Sequence, residues 1–206
     1  MLQSTIAQAR EGSVIVYSVI GRKKSEILGI YNYLKDQGVE KQTIIVATSP
    51  MDSPGEIFTG PYTAMSMAEY FRDQGRDVLV VLDNLSIHAK YYREIALVSK
   101  KFPGRNSYPG DIFYIHSRLL ERAGNFMVNG REVSITCLPV AETIQGDLSD
   151  YISTNIMSMT DGHIFYDSDL YFRGRRPSIN TFLSVTRVGR QTQTALQVDA
   201  NRLLTE

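Results

Sequence analysis

Across the first half of the chain, short all-apolar runs alternate with stretches of helical periodicity, and that alternation leaves few folds open. SVIVYSVI (13–20) is rich in β-branched residues and reads as a buried strand. Residues 23–37 follow with Ile27, Ile30, Tyr31 and Leu34 at helical spacing, and Gly38 closes that helix as a C-cap. QTIIVA (42–47) is a second strand, and 61–74 a second helix with Pro61 in its first turn and Gly75 after its end. DVLVVL (77–82) is a third strand that runs into Asp83, and 85–100 a third helix. Strand and helix in this order imply right-handed βαβ units and a parallel sheet. The strands are apolar throughout, as a sheet covered on both faces requires. The fold class is therefore α/β.

The second half is less regular. FPGRNSYPGD (102–111) holds two Pro-Gly pairs and reads as a loop. A helix is expected over 112–123, with Ile115, Leu119 and Leu120 on its apolar side, and a strand over 132–138. The stretch 141–153 is polar and turn-rich. Short β-like runs lie at 156–159, 163–166 and 179–185, and 191–204 has a helical pattern. Cys137 is the only cysteine, which rules out an internal disulfide and reads as a small buried apolar residue. No apolar run reaches the roughly 18–20 residues of a membrane span, so no direct membrane insertion is expected. Lys plus Arg and Asp plus Glu both number 22. That neutral balance disfavours nucleic acid as a partner, because such binding draws on phosphate neutralisation.

Three places could carry chemistry. Asp83 ends an apolar strand, the Walker B arrangement, in which a rigid strand holds a carboxylate at the carboxyl edge of a sheet. There it can hold Mg²⁺ through water. The short pattern by itself favours the simpler reading, in which Asp83 caps the helix that begins near Leu85. A phosphate loop of the form GxxxxGK[ST] is absent from the sequence, which has no Gly-Lys pair. Gly21-Arg22-Lys23-Lys24-Ser25 is basic and follows a strand, but lacks that spacing and reads as a solvated helix start. Arg187 ends the run INTFLSVT before Val188-Gly189. From such a turn an arginine can reach a neighbouring subunit and stabilise charge on a transferring phosphoryl group, or pair with a carboxylate for structural reasons. His88, His116 and His163 lack metal-ligand spacing and read as structural.

Taken together, long stretches resemble the alpha subunit of the rotary proton-translocating ATP synthase. They are GPYTAMSMAEYFRDQG (60–75), VLVVLDNLS (78–86), PGRNSYPGDIFYIHSRLLERAG (103–124), LPVAETIQGDLSDYISTN (138–155), MTDGHIFYDSDLYFRGRRPSIN (159–180) and LSVTRVGRQTQ (183–193). The resemblance implies a RecA-like fold, with a mainly parallel sheet and helices on both faces. It also implies ATP or ADP and Mg²⁺ as ligands. The implied setting is a ring of six alternating alpha and beta subunits around a central stalk, peripheral to the membrane on its cytoplasmic side. By motif, Arg187 matches the arginine that reaches the neighbouring γ-phosphate, with Ser158 and Val185 lining the same boundary. Asp83 matches the Walker B acid of the subunit's own non-catalytic site, and Tyr171, Arg176 and Pro177 match the segment that packs on adenine.

Departures from the family pattern accompany these matches. Asn84 stands where a second aspartate is usual, Arg22 where glutamine is usual, and Thr186 where the signature ends in serine. A cation at position 22 is expected to repel Mg²⁺ or to pair with phosphate directly. The chain is read as a partial RecA-like domain over 1–206, without the P-loop strand and helix start, the amino-terminal β-barrel or the carboxyl-terminal helical domain. Tight ATP binding by the chain alone is accordingly not expected. A related hexameric RecA-like motor, an RNA translocase or a secretion ATPase, is the alternative function, and an inert fragment is a third.

Overall fold

A computed structural model describes residues 12–143, 146–189, 191 and 193–205. The chain divides into two compact units, Met1–Met159 and Thr160–Glu206, each described in its own frame. The first opens with β1 (Val14–Val19), α1 (Lys24–Asp36), β2 (Thr43–Ala47), α2 (Pro54–Asp73), β3 (Val78–Asp83) and α3 (Leu85–Val98). It continues with α4 (Ile112–Leu120), β4 (Gly124–Val128), β5 (Arg131–Pro139) and α5 (Tyr151–Met159). The second unit holds β6 (Gly162–His163), α6 (Ser168–Phe172), β7 (Val185–Thr186) and α7 (Ala195–Thr205).

The main sheet has the order β2-β1-β3-β5-β4. β1 pairs in parallel with β2 and β3, β3 pairs in parallel with β5, and only β4 runs antiparallel, on β5. Alternate residues of β1 serve opposite faces, as the two-residue period of a strand demands. Val14 and Val16 join Val78, Val80 and Leu82 in a core with residues of α2, α3, α4 and α5. Ile15, Tyr17 and Val19 join Val81 in a second core with Ile30 and Leu34 of α1. The sheet is therefore mainly parallel and covered by helices on both faces, as a RecA-like domain is. Cys137 on β5 packs at the edge of the larger core, and burial pushes its thiol up to about 12.

Several expectations need correction. The second helix begins at Pro54 rather than 61. Ser53 caps it through a reciprocal box with Glu56, so Pro61 lies inside the helix. There Pro61 offers no N–H to the carbonyl one turn back. The run 156–159, expected as strand, closes α5, which starts within the stretch 141–153. Positions 144 and 145 of that stretch lie outside the described residues. β-structure in 163–166 and 179–185 shrinks to the short β6–β7 pair and a single bridge between Tyr166 and Ile179. The pattern over 191–204 becomes α7, starting at Ala195, with position 192 outside the described residues. β4 and its hairpin to β5 were not expected.

Candidate functional site

The carboxyl ends of β1, β3 and β5 share one edge of the parallel sheet, and a charged residue ends β3 or lies three residues beyond β1 and β5. Asp83 ends β3. The next residue, Asn84, is the helix cap: its side-chain oxygen accepts from the N–H of Ile87 at 2.7 Å. That leaves the Asp83 carboxylate for other partners, so Asp83 is not the cap of this helix. Its Oδ1 accepts from Arg22 Nη2 at 3.2 Å and its Oδ2 from the Tyr17 hydroxyl at 3.0 Å. Tyr17 is fully buried on β1. Burial, then the neighbouring Asp83 charge, push its phenol well above the usual range, so it stays a donor.

Arg22 follows β1 by three residues. Its backbone N–H donates to the Thr48 carbonyl at 3.1 Å, and that of Gly21 to Thr48 Oγ1 at 3.1 Å, which ties this turn to the end of β2. The guanidinium also meets Glu142 at 3.4 Å and Glu26 at 3.6 Å. One cation thus lies among three carboxylates drawn from β3, the segment after β5, and α1. Partial burial works against its charge, and Asp83, Glu142 and Glu26 outweigh that effect and hold its pKa above the ordinary value. Glu142 is fixed in turn. Its Oε1 accepts from Asn84 Nδ2 at 2.6 Å, and its N–H donates to Ser86 Oγ at 3.0 Å. The pairs to the exposed Glu142 and Glu26 contribute only about 0–1 kcal/mol each. Their main consequence is where they place charge.

As arranged, this donor set does not fit a hydrated Mg²⁺. Both oxygens of Asp83 already accept hydrogen bonds, and the guanidinium joins Asp83 to the other two carboxylates. A divalent ion about 5 Å from that guanidinium would be repelled by about 7 kcal/mol at an effective dielectric near 20, which cancels the pull of one carboxylate at the same distance. Among the described residues, no group of three or more His, Cys, Asp and Glu gathers closely enough to hold a metal.

In the second unit, Val185 lies on β7 and pairs with His163. Arg187 is exposed just beyond it, on a turn held by two bonds. Its own N–H donates to the Asp161 carbonyl at 2.6 Å, and the Gly189 N–H to Thr186 Oγ1 at 3.3 Å. Tyr171 sits in the last turn of α6, and the Arg176 guanidinium stacks over its ring at 4.8 Å. Pro177 follows, exposed, beyond a cis peptide. Asp167 steadies this segment, accepting from Asn180 Nδ2 at 3.0 Å and from the Asp169 N–H at 2.9 Å. In the first unit, the exposed Ser158 donates its hydroxyl to the Asn155 carbonyl of its own helix at 2.6 Å.

The structure thus joins Arg22 to Asp83 across 61 residues of sequence, and Arg176 to its near neighbour Tyr171. Tyr17, Glu26 and Glu142 were missed. For Glu142 a signal existed, because it follows an apolar parallel strand much as Asp83 ends one. Tyr17 gave none, since a tyrosine within an apolar strand reads as core.

Comparison with known proteins bears on this geometry. Residues 1–186 match the ATP synthase alpha/beta family, nucleotide-binding domain. The chain is 45% identical over 200 residues to the ATP synthase subunit alpha of Carsonella ruddii (strain PV), covering 93% of this chain and 42% of that protein. It is 44% identical over 193 residues to the subunit alpha of Clostridium botulinum (strain Eklund 17B / Type B), covering 94% and 38%. Against that of Helicobacter pylori (strain G27) it is 44% identical over 192 residues, covering 93% and 38%. The chain spans about two-fifths of the length of these relatives.

Proposed function

The chain belongs to the ATP synthase alpha/beta family, over its nucleotide-binding domain, and from that premise we propose that it is the RecA-like part of an alpha subunit whose chemistry is done in trans. In this reading it alternates with beta subunits in a ring with the other alpha subunits, around a central stalk and peripheral to the membrane. The ring makes and hydrolyses ATP coupled to proton flow. The edge formed by Arg22, Asp83 and Glu142 is the chain's own non-catalytic site for ATP or ADP. In the second unit, Tyr171, Arg176 and Pro177 form an adenine platform, for which a ring face stacked with a guanidinium plane is suited. Arg187 reaches the γ-phosphate held by the neighbouring beta subunit, with Ser158 and Val185 lining the same boundary.

The observation that carries this reading is the setting of Arg187: an exposed permanent cation on a turn whose backbone is tied down at Asp161 and Thr186. A planar fork held this way can meet charge developing on a phosphoryl group without first paying to order its own backbone. The test uses the assembled complex. R187A lowers ATP hydrolysis about 10³-fold or more, with ring assembly and nucleotide content unchanged. R187K recovers little, because lysine lacks the fork. Turnover by R187A within about threefold of the parent complex would overturn the reading.

A further inference from the structure

We propose that Arg22 is a built-in counter-cation that holds the place of the divalent metal, so that this site takes polyphosphate without a metal ion. The proposal rests on the reading of this sheet edge as a nucleotide site, and deepens it by stating the form in which nucleotide binds.

Four observations carry it. The turn that bears Arg22 is fixed at its backbone by Thr48, through the N–H groups of Gly21 and of Arg22 itself. The guanidinium lies against the carboxylate expected to face an ion, at 3.2 Å, and bridges it to Glu142 and Glu26. The remaining oxygen of Asp83 is taken by the buried Tyr17 hydroxyl, and Oε1 of Glu142 accepts from Asn84 Nδ2 as well as from Arg22. Each of these strand-end carboxylates is therefore already partnered by protein donors. Finally, Lys23 and Lys24 follow Arg22 in sequence and are exposed, which adds positive charge next to this turn.

The chemistry of the side chain fits this role. A guanidinium keeps its charge at every pH the protein meets, and carries five N–H donors in a planar fork matched to phosphate oxygens. Mg²⁺ binds phosphate together with one or two carboxylates and several waters. Here a cation already stands beside the first of those carboxylates. A phosphate oxygen can accept directly from the guanidinium, so the charge that an ion would supply comes from the chain.

The test needs no turnover. Mn²⁺ is titrated into the 206-residue chain and followed by electron paramagnetic resonance. The parent chain leaves Mn²⁺ free to about 1 mM, whereas R22Q takes up one equivalent at least about tenfold more tightly, since a carboxylate freed of its cation becomes a hard-ion ligand. R22Q/D83N loses that site again. R22K, which keeps the charge, behaves as the parent chain. A second arm measures ATP affinity with excess EDTA and with excess Mg²⁺. The two values agree within about twofold for the parent chain and differ about tenfold or more for R22Q. Mn²⁺ uptake by the parent chain equal to that of R22Q overturns the proposal. Failure of R22Q to take up Mn²⁺ overturns it too, since Asp83 is then no metal carboxylate for Arg22 to displace. Absence of ATP binding under both conditions sinks the nucleotide reading by itself, and the Mn²⁺ arm still decides the role of Arg22.

Discussion

Gly21 decides how Arg22 is presented. Its φ is +60°, a conformation that favours glycine, and a Cβ there would stand 2.9 Å from Ile87 Cγ2 and 3.0 Å from Tyr91 Cε2. G21A should therefore cost about 1–3 kcal/mol through strain and contact together. Urea unfolding should show this as a lower midpoint with an unchanged slope. Tyr17 acts differently. Register pairs Tyr17 with Val81 and Val19 with Asp83, so the period of two puts Tyr17 and Asp83 on the same face of the sheet. Y17F removes one donor from a carboxylate that keeps Arg22, and should cost about 1 kcal/mol, read by the same unfolding measurement. Arg22 and Asp83 could be picked out from the sequence because each closes or follows an apolar strand. Their contact could not, because it spans 61 residues and depends on which strands are neighbours.

At the level of elements, the strands and helices that announced themselves were those with one clear period. β1, β2, β3, α1 and α3 fall within two residues of their expected bounds, because their apolar spacing matches only one structure. The errors came where two signals competed. Pro61 was read as a start, although Ser53-Pro54-Gly55-Glu56 carries the stronger signature of a capping box with proline in the first turn. S53A should accordingly lower stability by about 1 kcal/mol, and the loss should appear in the melting temperature. The four residues 156–159 are too short for period to separate strand from helix. The β4–β5 hairpin was missed although Asn129-Gly130 is the strongest short signal for one. Both residues adopt positive φ, at 50° and 79°. G130V places a β-branched side chain in that conformation and should cost about 1–2 kcal/mol, with amides of β4 and β5 losing hydrogen-exchange protection before the rest of the sheet.

For the molecule as a whole, the larger core contains a polar pair that makes its stability depend on pH. His88 of α3 and His116 of α4 are both fully buried, with His88 Nδ1 and His116 Nε2 3.2 Å apart. His88 Nε2 lies 3.0 Å from the Phe58 carbonyl and must donate to it. A neutral His88 then accepts at Nδ1 from the Nε2–H of His116, and His116 Nδ1 has no hydrogen-bond partner. Phe58 and Tyr62 of α2 pack on the His88 ring, and neither brings a carboxylate to it. Burial lowers His88 to about 4. For His116 burial, and then the charge of its partner, lower it to about 3. In the unfolded chain both return to about 6.5. Above that value neither state binds protons at these rings and their contribution is fully present. Below it the unfolded chain takes up protons that the folded chain refuses, so stability falls as pH drops toward 4, by up to about 1.4 kcal/mol per pH unit for each histidine. Partnered carboxylates such as Glu69 and Asp111, whose pKa values are lowered in the fold, add losses only at lower pH. The interval from pH 6.5 to about 4.5 therefore belongs to the histidines. Urea unfolding across that interval should show stability falling steadily for the parent chain. H116L removes one titrating ring and leaves His88 without its donor. It should be weaker at neutral pH by about 1–3 kcal/mol, yet lose stability with acid about half as steeply. A slope equal to that of the parent chain would mean that the pair titrates in the folded state, and that the core admits charge which its packing is arranged to keep out.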